Sequence, residues 1–247
     1  MSGPGEGRPA AVLVADSFLV ADGRVRGPAL HRERFTRSCA RHGVDAGAFF
    51  DAWVAGLPRE GRWFPRCELR ADGAPHSFAL HSLLRPAPPQ GGPMRVMVYD
   101  GPDPRREPWT KGPDLERLGE LRSAAVAAGA DEALLTAADG TVLEAAYMSL
   151  LWWEDDILCV PPADLPVLPS VTVALLRTIA ARRGITVAER RRTLPELAGR
   201  EAWLVNALHG IRPVRSWLPP GPPAGGAVKA SDWQRELRDL AQPLPGR

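Results

Sequence analysis

Residues 129–144 read Gly129-Ala130-Asp131-Glu132-Ala133-Leu134-Leu135-Thr136-Ala137-Ala138-Asp139-Gly140-Thr141-Val142-Leu143-Glu144. Two apolar runs flank Asp139-Gly140, a dipeptide suited to a tight hairpin turn. The pattern predicts a strand over 132–136, a turn, and a second strand over 141–151. Strand alternation puts Val142 and Glu144 on one face, so Glu144 points inward. An inward carboxylate without a partner is costly, and its presence argues for one.

Outward from this hairpin the chain divides in two. Residues 11–20 and 24–30 read as strands around Asp22-Gly23, and 31–41 and 45–57 as helices separated by Gly43. Three strand-like runs follow over 62–70, 76–85 and 94–100, the first two joined at Asp72-Gly73, with a loop over 86–93. The Pro- and Gly-rich stretch 101–113 is the expected boundary. It separates a smaller α+β unit over 1–100 from a larger unit over 114–247. In the larger unit the pattern predicts a helix over 114–128 and a strand over 157–160. A helix follows over 171–183 with Ser170 as its N-cap. Strands are expected over 185–190, 201–205 and 211–217, a linker over 219–226 and a helix over 232–240. The fold class is α+β.

Composition narrows the function. The 247 residues carry 31 basic and 29 acidic side chains, a net charge of +2, too balanced for a surface that tracks nucleic-acid phosphates. The most apolar stretch, 145–153, is about half of what a bilayer needs. The opening MSGPGEGRPA lacks a signal-peptide pattern, so a soluble cytoplasmic protein is expected. Cys39, Cys67 and Cys159 are widely spaced and suggest neither a disulfide framework nor a metal site, and they are read as buried thiols. The five histidines lack metal spacing, and no phosphate-binding P-loop, dinucleotide fingerprint or serine nucleophile elbow occurs. Of the 31 basic residues only Lys111 and Lys229 are lysines. Covalent chemistry on a lysine amine therefore has two candidates, and Lys229 lies beside a Pro/Gly linker.

From the boundary loop onward a string of segments keeps a fixed order. It runs Trp109-Thr110-Lys111, then 129–135, then Asp139-Gly140-Thr141-Val142-Leu143-Glu144. Cys159-Val160-Pro161-Pro162 and Leu168-Pro169-Ser170-Val171-Thr172 follow, and Val205-Asn206-Ala207-Leu208-His209-Gly210-Ile211-Arg212-Pro213-Val214 ends it. His31-Arg32-Glu33-Arg34-Phe35 adds a weaker piece in the first unit. Together they span most of 24–218, and in this the chain resembles the class-IV aminotransferase family. These are fold-type IV pyridoxal-phosphate enzymes of the branched-chain aminotransferase, D-amino-acid aminotransferase and aminodeoxychorismate lyase kind.

The resemblance implies a two-domain fold with pyridoxal 5′-phosphate in the cleft, a homodimer, and a small-molecule amino substrate. It puts Lys111 at the lysine that holds the cofactor aldehyde as a Schiff base. Glu144 falls at the acid facing the ring nitrogen, where a carboxylate favours the protonated ring. Val171 and Thr172 open the helix whose free N–H groups receive the phosphate. Asn206 and Ala207 match a second phosphate-side loop, and Arg34 the arginine that reaches the phosphate from the first unit. The chain departs from the pattern at Ser149, Ser170 and Val173, and Ala15-Asp16-Ser17 replaces the family's motif near the chain start.

Three activities follow from the resemblance: an aminotransferase, an aminodeoxychorismate lyase that releases pyruvate, or a paralogue without turnover. Asn206-Ala207-Leu208 and the hydroxyl of Ser17 lean towards the lyase branch. A substrate carboxylate needs an arginine or backbone donors, and Arg66, Arg70 and Arg85 are candidates with no choice among them. His76 and His81 are read as ordinary strand histidines, and Trp152-Trp153 as core or dimer interface.

Overall fold

The computed structural model describes residues 11–246 except 75 and 220. The stretch MSGPGEGRPA lies outside the described residues. In chain order the elements of the first part are β1 (Val12–Ser17), β2 (Val20–Ala21), β3 (Arg24–Arg26), α1 (Pro28–Ala40), α2 (Gly47–Ala55), β4 (Arg62–Trp63), β5 (Arg66–Ala71), β6 (Phe78–Leu83) and β7 (Met94–Val98). Then come α3 (Leu115–Ala127), β8 (Glu132–Thr136), β9 (Val142–Ala145), β10 (Met148–Glu154), β11 (Ile157–Val160), α4 (Val171–Arg182), β12 (Val187–Glu189), β13 (Ala202–Asn206), β14 (Gly210–Trp217), α5 (Ala230–Asp239) and β15 (Ala241–Pro243).

An eight-stranded sheet runs β12-β11-β10-β13-β14-β7-β8-β9, and β9 pairs back onto β10. That last pairing closes β10-β13-β14-β7-β8-β9 into a ring. The sequence reflects it, because a strand covered on both faces runs apolar at successive positions, as in Leu150-Leu151-Trp152-Trp153 and Ala202-Trp203-Leu204-Val205. Leu150, Trp152, Leu204 and Leu134 fill the inside of the ring. Their neighbours Leu151, Trp153, Trp203 and Val205 pack outward beneath α4 and α5, and Leu135 packs beneath α3. Trp152-Trp153 is core, and Trp153, Trp203 and Trp233 meet edge to face.

The first part holds a three-stranded sheet, β1-β5-β6, and a small four-stranded one, β15-β3-β2-β4. Helix α1 buries His31, Arg34, Phe35, Ser38 and Cys39, an i, i+3, i+4, i+7, i+8 stripe, and leaves Arg32, Glu33 and Arg37 outside. Two strands cross the division expected at 101–113. β7 lies in the large sheet between β14 and β8, and β15 pairs with β3.

Several boundaries move. The strand expected over 24–30 stops at Arg26, because Gly27 takes φ +58 and Pro28 starts α1. The strand expected over 141–151 is two, β9 and β10, which turn back at Ala146-Tyr147. Arg62–Arg70 also splits, into β4 and β5. The three cysteines are free and buried. Among the described residues no helix is long and apolar enough to cross a membrane.

Candidate active site

The buried stripe of α1 lays two side chains onto Asp16 of β1, which is fully buried. Arg34 donates from Nε to Asp16 Oδ2 at 2.8 Å and from Nη2 to Oδ1 at 2.9 Å. The His31 ring nitrogen Nδ1 lies 2.7 Å from the same Oδ1. Burial opposes ionisation of Asp16, but Arg34 and His31 outweigh it and hold the carboxyl down at about 2. Burial pushes the His31 pKa down, against the pull of Asp16. The remaining nitrogen of Arg34, Nη1, donates to the Pro169 carbonyl at 3.2 Å, one residue before the N-cap of α4.

Lys111 sits in a loop tied down on both sides. Its carbonyl accepts the Ala15 N–H at 2.6 Å. Gly112 makes that approach possible, since a Cβ there would stand 2.8 Å from the Val14 Cα. Asp114 accepts the N–H groups of Arg106 and Glu107 at 3.0 and 2.9 Å and fixes the preceding turn. Burial and the nearby Arg34 bring the Lys111 amine down to about 8, with Asp16 and Glu144 pulling the other way. The second lysine, Lys229, donates to Asp156 at 3.1 Å and lies over the Trp153 ring at 4.8 Å, engaged at the outer side of the large sheet.

Glu144, at the end of β9, is buried and has the partner its inward position demanded. Arg105 donates Nη1–H to its Oε1, and the Leu168 N–H donates to the same oxygen at 2.8 Å. Arg105 is held in turn by Asp103 at 2.7 Å and by the Pro166 carbonyl at 2.5 Å. Burial raises the Glu144 pKa, against the charge of Arg105. Nothing in the periodicity of 101–113 marked Arg105, because a loop held by side chains has no repeat. The only signal was the unpaired acid it serves.

The N-terminus of α4 completes the site. Ser170 Oγ accepts the Val173 N–H at 3.3 Å as N-cap. Among the described residues the N–H groups of Val171 and Thr172 have no acceptor, which leaves two donors and the positive end of the helix facing outward. On the far side Asn206 Oδ1 accepts the N–H groups of Leu208 and His209 at 3.2 and 2.8 Å, and the Ala207 carbonyl accepts Arg26 Nη2 at 2.9 Å.

One cavity of about 1060 Å³ gathers these groups. Arg34, Lys111, Glu144, Val171, Thr172, Asn206 and Ala207, all singled out from the sequence, line it, and so do Ser17, Ser149 and Ser170. Arg66, Arg70 and Arg85 line it as well, whereas His76 and His81 do not. An amine with a lowered pKa, a buried acid on a cationic anchor and a helix N-terminus beside an arginine together fit a phosphorylated pyridine aldehyde.

The family model for class IV aminotransferases matches residues 13–217. The chain belongs to the class IV aminotransferase family. No curated protein matches it. Among solved structures it is similar to a branched-chain aminotransferase from Thermoproteus uzoniensis, at 18% identity and a TM-score of 0.82, over 94% of this chain and 90% of that one. A putative 4-amino-4-deoxychorismate lyase from Legionella pneumophila matches at 18% identity and a TM-score of 0.78, over 95% and 97%. A hypothetical aminotransferase from Mycobacterium tuberculosis in a PLP-bound form matches at 18% identity and 0.75, over 95% and 94%. The α+β, fold-type IV architecture expected from the sequence is the one these class IV structures share.

Proposed function

We propose that this class IV family member is a pyridoxal-phosphate-dependent aminotransferase that acts on a small amino substrate through Lys111. The observation that carries this is the convergence of Lys111, Glu144 and the α4 N-terminus on one cavity. Bound there, the cofactor supplies an electron sink for charge developing at the substrate α-carbon.

The chain's own residues divide the remaining work. Lys111 would hold the cofactor through its amine, and the same amine is the group placed to take and return the substrate α-proton. An amine with a pKa of about 8 suits that exchange near neutrality better than an ordinary lysine. Glu144, paired with Arg105, is the residue that would favour a protonated ring nitrogen. Val171, Thr172 and Arg34, whose Nη1 reaches the start of α4, would hold the phosphate, and Asn206-Ala207 lines the cavity with them. We place the protein in the cytoplasm as a homodimer.

A second reading is the lyase, which would expel pyruvate from aminodeoxychorismate. Ser17 favours it, since its hydroxyl lines the same cavity as Lys111.

The test is the absorption spectrum of the purified protein with added pyridoxal phosphate, beside Lys111→Ala. A band at about 410–430 nm in wild type and not in the variant, with a borohydride-fixed adduct on Lys111, supports the reading. Wild type with neither band nor adduct overturns it. Amino-acid and aminodeoxychorismate turnover then separates the two activities.

A further inference from the structure

We propose that Glu132 is a specificity-determining residue, which receives a hydroxyl group carried by the amino substrate away from its reacting carbon. The inference rests on the cofactor reading above and deepens it by naming a class of substrate.

Glu132 opens β8, and strand alternation fixes where it points. Ala133 and Leu135 pack outward beneath α3, so Glu132 and Leu134 turn to the inside of the strand ring. Val96 of β7, across the ladder from Glu132, is an inside residue too. On β14, Arg212 pairs with the inside residue Leu204 and so enters the same ring. Leu134 and Val214 lie deeper, in the core, whereas Glu132 and Arg212 reach the open end and line the cavity that holds Lys111.

Five acids line this cavity, Glu107, Asp114, Glu116, Glu132 and Glu144. Glu107 and Glu116 are exposed. Asp114 accepts the N–H groups of Arg106 and Glu107, and Glu144 is held by Arg105. Glu132 is the exception. It is 1% exposed, and among the described residues its carboxyl accepts one hydrogen bond, from the Ala133 N–H to Oε1 at 3.1 Å. Arg122 stands 3.7 Å from Oε2, beyond hydrogen-bond reach, and Arg212 spends its Nε–H on the Gly92 carbonyl at 2.7 Å. Burial raises the Glu132 pKa to about 7, against the weaker pull of the Ala133 N–H, the two guanidinium groups and the Tyr147 N–H. This end of the cavity therefore presents a buried carboxyl oxygen short of a donor.

That shortage discriminates between substrates. At about 1060 Å³ the cavity has room for more than the cofactor and a short amino acid. A methyl group brought to this end shuts Oε2 off from water and leaves a buried acceptor unpaired. A hydroxyl donates to it. An ammonium group would donate as well, but Arg122 and Arg212 oppose a third positive charge there. A hydroxyl is neutral, and its oxygen can accept from either guanidinium.

The test uses unreactive acids in matched pairs, each with a terminal hydroxyl or with a methyl group in its place. The pairs are 4-hydroxybutanoate with pentanoate, 5-hydroxypentanoate with hexanoate, and 6-hydroxyhexanoate with heptanoate. Each acid is titrated by calorimetry into the protein loaded with pyridoxal phosphate. At the chain length that reaches Glu132 the hydroxy acid is expected to bind at least about 10-fold more tightly than its partner. Glu132→Leu should erase that advantage without lowering the melting temperature, because an apolar side chain replaces a buried acid short of a donor. A merely structural Glu132 predicts the reverse, a lower melting temperature with the advantage kept. Glu132→Gln, close to the native side chain in shape, should weaken the advantage, and it is read in the same way should the leucine variant misfold. Glu116→Gln, at an exposed acid of the same cavity, should keep it. Equal affinities in all three wild-type pairs, or an advantage that survives in the Glu132 variants, overturn the proposal. A wild-type imine band without a hydroxyl preference defeats this inference alone. A missing band defeats the cofactor reading, whatever the titrations give.

Discussion

Asp16 grips Arg34 by its Nε and Nη2 edge with both carboxylate oxygens and leaves only Nη1 to reach the start of α4. The arginine assigned to the phosphate is thereby fixed in rotamer from behind. Asp16→Asn leaves a buried guanidinium without its counter-charge, which typically costs about 3–5 kcal/mol. A urea melt should show that loss, and pyridoxal phosphate should bind more weakly. The pH response has a definite sign. The Asp16 pKa is depressed from 3.8 to about 2, so its contribution is present above pH 4 and fades as pH falls through 2. The variant should lack that share of the wild-type acid sensitivity, and equal acid profiles would count against it.

Lys111 should react with aldehydes as a neutral amine at unusually low pH. The rate of cofactor attachment to apoprotein is expected to rise with pH about a midpoint near 8, against about 10.4 for an ordinary lysine. Folding linkage runs the same way. The folded state gives up this proton before the unfolded chain does, so the penalty for burying the charged amine is relieved as pH rises above 8. Stopped-flow absorption across pH 6.5 to 10 reads the midpoint, and a profile still climbing at pH 10 would refute it.

Arg105 and Glu144 form a buried pair, and removing one partner should cost more than removing both. Arg105→Met strands a buried carboxylate, raises the Glu144 pKa further and destabilises by about 3 kcal/mol. Adding Glu144→Gln should recover part of that loss. A double-mutant cycle from denaturant melts measures the coupling, and strictly additive losses would show that the pair is not energetically linked.

Gly112→Ala tests the seat of Lys111. A methyl group there meets the β1 backbone at 2.8 Å and must push the loop away. The expected cost is about 1–3 kcal/mol, together with weaker attachment of the cofactor at Lys111. Unchanged stability and attachment would mean that the loop can shift freely.

What was legible in the sequence follows a physical divide. Lys111 and Glu144 stood out because an amine in a chain of arginines, and an acid within an apolar strand, are exceptional where they occur. Their supports did not. Asp16 looked like an interruption of an apolar run, and only the stripe of α1 shows that Arg34 and His31 close over it. Arg105 lies among prolines and glycines where periodicity carries no information. The turn at Ala146-Tyr147 was hidden because both flanking strands are buried on both faces and neither glycine nor proline marks the bend. β15 contains Pro243, which argues against a strand in sequence but is tolerated at a sheet edge.

β15 also bears on how the molecule comes into being. It lies on the exposed flank of β3, and Leu244 just beyond it enters the core of the first unit. A polypeptide emerging from the ribosome presents β3 more than two hundred residues before its mate exists. Throughout synthesis that unit must wait with an open edge and an unfilled hole, a site where chaperones can hold it and where neighbouring nascent chains can pair wrongly. A strand made more than two hundred residues later is thus the latch on β3.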